Sequence, residues 1–404
     1  MSGWGPMAAA AGSAGSAGSA GSAGSAGSAG SAGSASPIVG LDGSVGFPGY
    51  SGLFPNTMLA HGLVLSRDLQ LSGGASAKLT APDPLVKAYA KRESQADYAL
   101  DIKRLQPNVR AALAELELHE ALKMHVPARS GGASEPCAEL KLAATEVALI
   151  KMPRPKIDVF QQQLKRVLSY ADLRGERVNE VLSQVVPQTA YWSGIAGLTP
   201  ERHRYTLELL GVGLRFTMQI VMKFKYALSV PRPMEFSPLV QPMILTPGYT
   251  AYPSGHATEA TFAAELLAAL HAEASKSEAF AKDPAADANT HPASLRSQLH
   301  RLAYRVAENR VVAGLHFPID SMAGFALGVV LARYAVARCG PEQRALKTGV
   351  KLTFNPTQST PPVEPELDKP LLCVTELKEE GVDPANDQSV LKTLWIEAKK
   401  EWQA

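Results

Sequence analysis

The sequence predicts an all-α fold built of helical bundles. Apolar residues recur at helical spacing over eight long segments, strand-like alternation is nearly absent, and proline and glycine gather in the intervals between. With 404 residues, 46% hydrophobic and 19% charged, the chain can bury one large core or two smaller ones.

Residues 1–80 stand apart from that pattern. Gly12–Ala35 is a run of Gly-Ser-Ala triplets, and 36–80 stays rich in glycine, serine and proline. Such a composition cannot bury a core, so it reads as a flexible tether followed by an extended segment. From Pro84 the spacing turns helical. Helices are predicted over 84–105, 108–125, 138–150 and 157–186, the last with Phe160, Leu164, Val167, Leu168 and Ala171 on one stripe. They form a first four-helix-type bundle within 81–199. A second bundle, within 200–340, takes 201–230, 256–274, 292–313 and 318–338. Loops fall at 127–136, 187–200, 231–255 and 282–292. The extension 341–404 is polar and proline-bearing, with a short helix at 388–402 carrying Trp395 and Trp402. It is expected to pack on the surface or on a partner subunit of a homo-oligomer.

Composition narrows the function classes. A formal net charge of +2 offers no nucleic-acid footprint and no polybasic membrane anchor. Three scattered cysteines, Cys137, Cys339 and Cys373, give neither a disulfide framework nor zinc spacing. No segment reaches the ~18 uninterrupted apolar residues of a membrane span. The N-terminus lacks the basic start and apolar stretch of a secretory signal, so a soluble, cytoplasmic protein is expected.

Three segments place charge where the local pattern demands apolar residues. In 201–230, Arg215, Gln219 and Lys223 share one face, whereas Lys225 falls on the stripe of Leu214, Met218 and Val221. A lysine there needs an anion or must reach water along its stem. Pro231 and Pro233 then hold Arg232 in a stiff, extended turn, which aims the guanidinium. The second segment is Ala251–Thr258. A helix starting near His256 makes Ser254 its N-cap, and Gly255 lets a ligand approach the backbone. Free N–H groups at such a terminus bind oxyanions, with His256 placed to exchange protons; the alternative is an ordinary capped helix with a surface histidine. The third is Arg310–Asp320. Arg310 continues the stripe of Leu299, Leu302 and Val306 and so points inward, where arginine requires an anionic partner. Gly314 and Pro318 break the helix, leaving His316 in a tight loop. Asp320 either orients His316 or answers the dipole of the next helix, the second being slightly preferred. Three cations, a helix N-terminus and two histidines together suit a doubly charged tetrahedral oxyanion held away from water. The other histidines form no ligand spacing.

These residues, in this order, resemble the superfamily shared by vanadium-dependent haloperoxidases and type 2 phosphatidic acid phosphatases. Lys225–Pro233 matches Lys-x6-Arg-Pro, Pro253–His256 matches Pro-Ser-Gly-His, and Arg310–His316 matches the Arg-x5-His of its third motif. The resemblance implies that Lys225, Arg232, Arg310, Ser254 and the Gly255 amide bind the oxygens of vanadate or phosphate. It makes His316 the vanadium ligand, or the phosphorylated nucleophile of a phosphatase, and His256 the acid–base group. The run Ala251–Thr258, the two helical groups and Tyr249, placed as a candidate halide neighbour, favour a haloperoxidase: halide oxidised by hydrogen peroxide at a histidine-bound vanadate, with a small organic substrate halogenated. The alternatives are a phosphomonoesterase with no cofactor and phosphate bound as substrate, and a non-enzymatic phosphate-binding scaffold. Asn309 departs from the pattern, standing where a serine usually precedes the arginine.

Overall fold

The computed structural model describes residues 105–126, 136–186, 188–275, 294–340 and 389–403, Leu65 and Ile102, and the backbone of 344–348, 350–354, 372–375 and 378–382. Residues 1–80 and the predicted helix over 84–105 therefore lie outside the described residues, apart from Leu65, Ile102 and Leu105.

The described chain is mostly helical. In order it runs α1 (Pro107–Glu120), β1 (Leu122–His125), β2 (Cys137–Leu142), β3 (Ala148–Pro153), α2 (Ile157–Ser169), α3 (Arg174–Ser183), α4 (Thr189–Ala196), α5 (Arg204–Leu228), the short α6 (Pro233–Phe236), α7 (Gly255–Ala274), α8 (Leu295–Val312) and α9 (Pro318–Cys339). Then come β4 (Arg344–Thr348), β5 (Val350–Phe354), β6 (Leu372–Thr375), β7 (Lys378–Val382) and α10 (Val390–Glu401).

Several sequence expectations need correction: β1 takes Leu122–His125 from the helix predicted over 108–125, α4 takes Thr189–Ala196 from the loop predicted over 187–200, and two changes are larger. The segment predicted as a helix over 138–150 is a pair of antiparallel strands. Its Ala, Glu, Leu and Lys are helix formers, but Ala138, Leu140 and Leu142 are buried alternately with the half-exposed Cys137, Glu139 and Lys141, a period of two. Tertiary burial overrides propensity there. The sheet they belong to runs β1-β2-β3-β5-β6, with β3 and β5 parallel, and β4 pairs with β7. Strands thus occupy part of an extension that showed no strand signal. Second, the single helix predicted over 157–186 breaks into α2, a 3-10 turn at Tyr170–Leu173 and α3.

The helices that position the site match the predicted ones closely. α7 is the central rod. It is alanine-rich and buried along nearly its whole length, surrounded by α5, α8, α9 and α10. α9 approaches it closely because a Cβ at Gly324 would stand 2.7 Å from the Ser254 carbonyl oxygen, and one at Gly328 2.7 Å from that of Thr258. By length and mean hydropathy (1.4) α9 could cross a membrane, yet 72% of its apolar window is buried inside the protein.

One hydrophobic cluster joins both predicted helical groups, from Leu118 and Phe160 through Phe216 and Phe262 to Trp395. The polar face of α5 is covered by α1, where Arg215 and Gln219 both donate to Glu115. α10 packs on the same body: Trp395 Nε1 donates to Glu273 and Trp402 Nε1 to Thr206, while Glu401 accepts from the backbone N–H groups of Tyr205 and Thr206 at 2.8 Å.

Candidate active site

α5 ends at Leu228, closed by Ser229 in the left-handed region (φ 47°) and followed by Pro231. This leaves Lys225 in the last helical turn, 2% exposed, on the same wall as Met218 and Val221. Its Nζ donates to the carbonyls of Thr250 (2.8 Å) and Ala251 (2.6 Å), which occupies two of the three ammonium protons. Arg232, extended at φ −77° and ψ 157°, caps α6 and turns inward with 3% exposure. Its Nε donates to the Tyr249 carbonyl and its Nη1 to that of Leu315, both at 3.0 Å. The Tyr249 ring lies 5.4 Å from Lys225 Nζ and 5.3 Å from the Arg232 guanidinium carbon, a cation–π contact with both.

Ser254 caps α7, accepting from the Ala257 N–H, and its own N–H donates to the Asp320 carbonyl at 2.9 Å. The first turn of α7 is thereby tied to α9 while Gly255 and His256 face the cavity. Arg310, 1% exposed, donates from Nη2 to the Val181 carbonyl at 2.8 Å. α8 stops two residues later. Gly314 turns the chain at φ 78°, where a Cβ would meet Arg174 Nη2 at 2.9 Å and Val240 Cγ1 at 3.0 Å, so only glycine serves both needs. Arg174 fixes this corner by donating to the carbonyls of Val312, Gln241 and Val240.

The loop presents His316, 4% exposed, with Nδ1 3.0 Å from Asp320 Oδ2 and Nε2 3.1 Å from Arg232 Nη1. A guanidinium cannot accept, so Nε2 carries the lone pair and Nδ1–H donates to Asp320. Oδ2 of Asp320 also accepts from the Phe317 N–H at 2.9 Å. Asp320 therefore both orients the imidazole and closes the start of α9, where the sequence slightly preferred the second role alone. His256 has the opposite tautomer. Its Nε2 lies 2.9 Å from the Gln184 carbonyl oxygen, which can only accept, leaving the lone pair on Nδ1. Asn309 stands behind it, donating from Nδ2 to Gln184 Oε1 and Glu180 Oε2 at 2.9 Å and accepting from Arg177 at 3.0 Å.

Lys225, Arg232, Tyr249, Gly255, His256, Arg310 and His316 line one cavity of about 30 Å³, space for roughly two water-sized bodies. Ser254, Asn309 and Asp320 support it from behind. Burial pushes every cation there down: Lys225 falls well below the usual lysine range, with Arg232 adding repulsion, Arg232 itself is lowered, and Arg310 drops to about 10. Both histidines are held neutral, His256 at about 3 by burial and then by Arg310, and His316 well below its ordinary value by burial and then by Arg232. Among the described residues, two buried donors of these guanidiniums, Arg232 Nη2 and Arg310 Nε, have no hydrogen-bond partner. Excess positive charge with unmet N–H groups is an arrangement that a bound anion would satisfy.

Several participants were not read from the sequence. The carbonyls of Val181 and Gln184 come from the end of α3 and the residue after it, and a backbone oxygen leaves no mark on residue type. Glu259, one turn after His256, also lines the cavity. Its spacing from Gly255 and His256 put it on their face, and that was the available signal.

No curated protein matches the chain. Residues 207–343 match the family model of the PAP2 superfamily, whose members are mostly phosphatases or haloperoxidases. The match runs from α5 through α9 and spans every residue that lines the cavity, so the part of the chain that carries the cavity is the part similar to the PAP2 superfamily.

Proposed function

We propose that the cavity holds a tetrahedral oxyanion against His316 and that the protein works as a vanadate-dependent haloperoxidase. The observation that carries this reading is the pair of orphaned buried donors, Arg232 Nη2 and Arg310 Nε, beside an imidazole whose lone pair is fixed on Nε2. These groups fit vanadate: three cations and the Gly255 N–H oppose its charge, and His316 Nε2 supplies a nitrogen ligand. When bound, vanadate supplies Lewis-acid activation of hydrogen peroxide toward halide.

The chain's own residues do the rest. Asp320 keeps Nδ1 of His316 protonated and the ring aimed. His256, neutral and with its lone pair on Nδ1, accepts a proton at the cavity wall and returns it. Tyr249 braces Lys225 and Arg232 through its ring. The cavity's size suits one small resident ion and argues against an organic substrate entering beside it.

The same geometry favours a second reading. An imidazole with an Asp320-bound Nδ1–H and its lone pair on Nε2, which accepts from Arg232 Nη1 until a substrate takes that place, is an oriented nucleophile, as a phosphomonoesterase forming a phosphohistidine requires. Purified protein should be analysed for bound vanadium and phosphate. It should then be assayed with bromide, peroxide and a phenolic dye, with and without vanadate, and separately with a chromogenic phosphate ester. Vanadate-dependent dye bromination supports the first reading; ester turnover alone rejects it in favour of the second.

A further inference from the structure

Glu259 is out of place in an anion pocket. It sits on α7 one turn beyond His256, only 8% exposed, and lines the cavity with the three cations. Its Oε1 lies 3.7 Å from where a Gly255 side chain would begin, so the carboxyl stands over the same helix terminus that offers its N–H groups. Among the described residues it has no salt bridge or hydrogen bond. A buried carboxylate beside a bound dianion would be strongly repelled unless a proton lay between them.

We infer that Glu259 shares one proton with the bound oxyanion, so that the site selects oxyanions that carry a hydrogen, such as phosphate and vanadate, over those that do not, such as sulfate. This rests on the oxyanion reading of the cavity and deepens it. When neutral, Glu259 donates to any oxyanion. When ionised, it can only accept, and then only a ligand O–H satisfies it. A phosphate-ester dianion, lacking that hydrogen, falls with sulfate. Burial, opposed by Lys225, raises the carboxyl to about 8, so the two regimes lie on either side of mildly alkaline pH.

Other groups face the same space: Lys225 from α5, Arg232 and Tyr249 from the segment between α5 and α7, His256 on α7 itself, Arg310 on α8, and His316 with Asp320 behind it. Their titration acts on both ligands together, and once phosphate affinity is referred to its dianion, so that phosphate's own second ionisation drops out, the ratio of affinities isolates Glu259. Phosphate and sulfate binding to the full chain, measured by calorimetry at pH 6.5 and pH 9, tests this. The wild type should lose at least tenfold more sulfate affinity than phosphate affinity on going to pH 9. Glu259→Gln, whose amide both donates and accepts at every pH, should show the same ratio at both. If Glu259→Gln folds poorly, Glu259→Met should likewise hold a constant ratio. A wild-type ratio that does not change with pH, or a variant that keeps the wild-type change, overturns the inference while leaving the anion pocket intact. A wild type that binds neither phosphate, sulfate nor vanadate at either pH overturns both.

Discussion

Two clusters of buried charge lie along α7, and they are built on opposite rules. At the site end, Lys225, Arg232 and Arg310 outnumber the acids that face them, and two guanidinium nitrogens go unmet. Further along the helix, Glu265 is fully buried but answered. Arg296 Nη2 donates to both of its oxygens at 3.0 Å and Nε to Oε1 at 3.2 Å, and His300 Nε2 lies 2.5 Å from Oε1. Burial alone would raise the Glu265 carboxyl, yet His300 and then Arg296 hold it at about 2. A satisfied cluster fixes α8 against α7. An unsatisfied one stores a demand that only a ligand meets. Buried charge is therefore not by itself a mark of function; the imbalance is.

The comparison breaks most sharply at the two histidines. His316→Ala should reduce turnover on the order of 10³-fold or more, because ligand or nucleophile is lost, with little change in melting temperature. His300→Ala should do the reverse, costing on the order of 1–3 kcal/mol of stability by leaving its share of Glu265 unmet, with turnover retained. Parallel rate and thermal-melt measurements check both; equal loss of activity in the two variants would erase the distinction.

Glu265→Gln probes the satisfied cluster directly. It leaves Arg296 buried against a neutral amide and should cost about 3–5 kcal/mol, read by denaturant unfolding at pH 7, with phosphate affinity unchanged. The pH sign follows from a folded value of about 2, below the ~4.3 of an unfolded glutamate. Stability from Glu265 is fully present above the unfolded value and is lost as pH falls through about 4 toward 2. The variant should show a shallower acid limb.

Arg310→Met tests the other cluster. The stem volume is kept and one unanswered cation is removed, so the ligand-free protein should melt no lower than wild type. Oxyanion affinity should fall ~10–100-fold. Wild type at a hundredfold excess of phosphate over its Kd should gain about 2.7 kcal/mol, and the variant at that concentration only about 0.4–1.4 kcal/mol. A variant that melts far below wild type without ligand would make Arg310 a structural ion.

What the sequence made legible follows the same division. Lys225 and Arg310 announced themselves as charges on apolar stripes, Arg232 by its flanking prolines, and Ser254 and Gly255 by the chemistry of a helix start. His316 was placed in its loop because Gly314 and Pro318 break the helix. Each of these is a local rule. The rest needed tertiary placement: β2 and β3 hid their period of two behind helix-forming residues, and α3 contributes to the site through carbonyls of Val181 and Gln184. Glu259 looked like one more helical acid, and only its burial in the same cavity as Lys225 separates it from a solvated one.

The smallest effect is expected where the satisfied and unsatisfied styles meet. Asn309, on α8 beside Arg310, has its amide fully used by Glu180, Gln184 and Arg177, and the Gln184 carbonyl is what His256 Nε2 donates to. On the proposed reading, Asn309 would be a positioning residue, acting on His256 through Gln184. Asn309→Ser restores the residue common at this place in the superfamily but is too short to keep both carbonyl-side and carboxylate-side bonds. About 1 kcal/mol, or ~5-fold in turnover, should be lost. The hydrogen bond to Gln184 raises the His256 pKa against burial and the nearby arginines. Loosening it should move the acid limb of the rate–pH profile to lower pH, a shift that a purely structural asparagine would not produce.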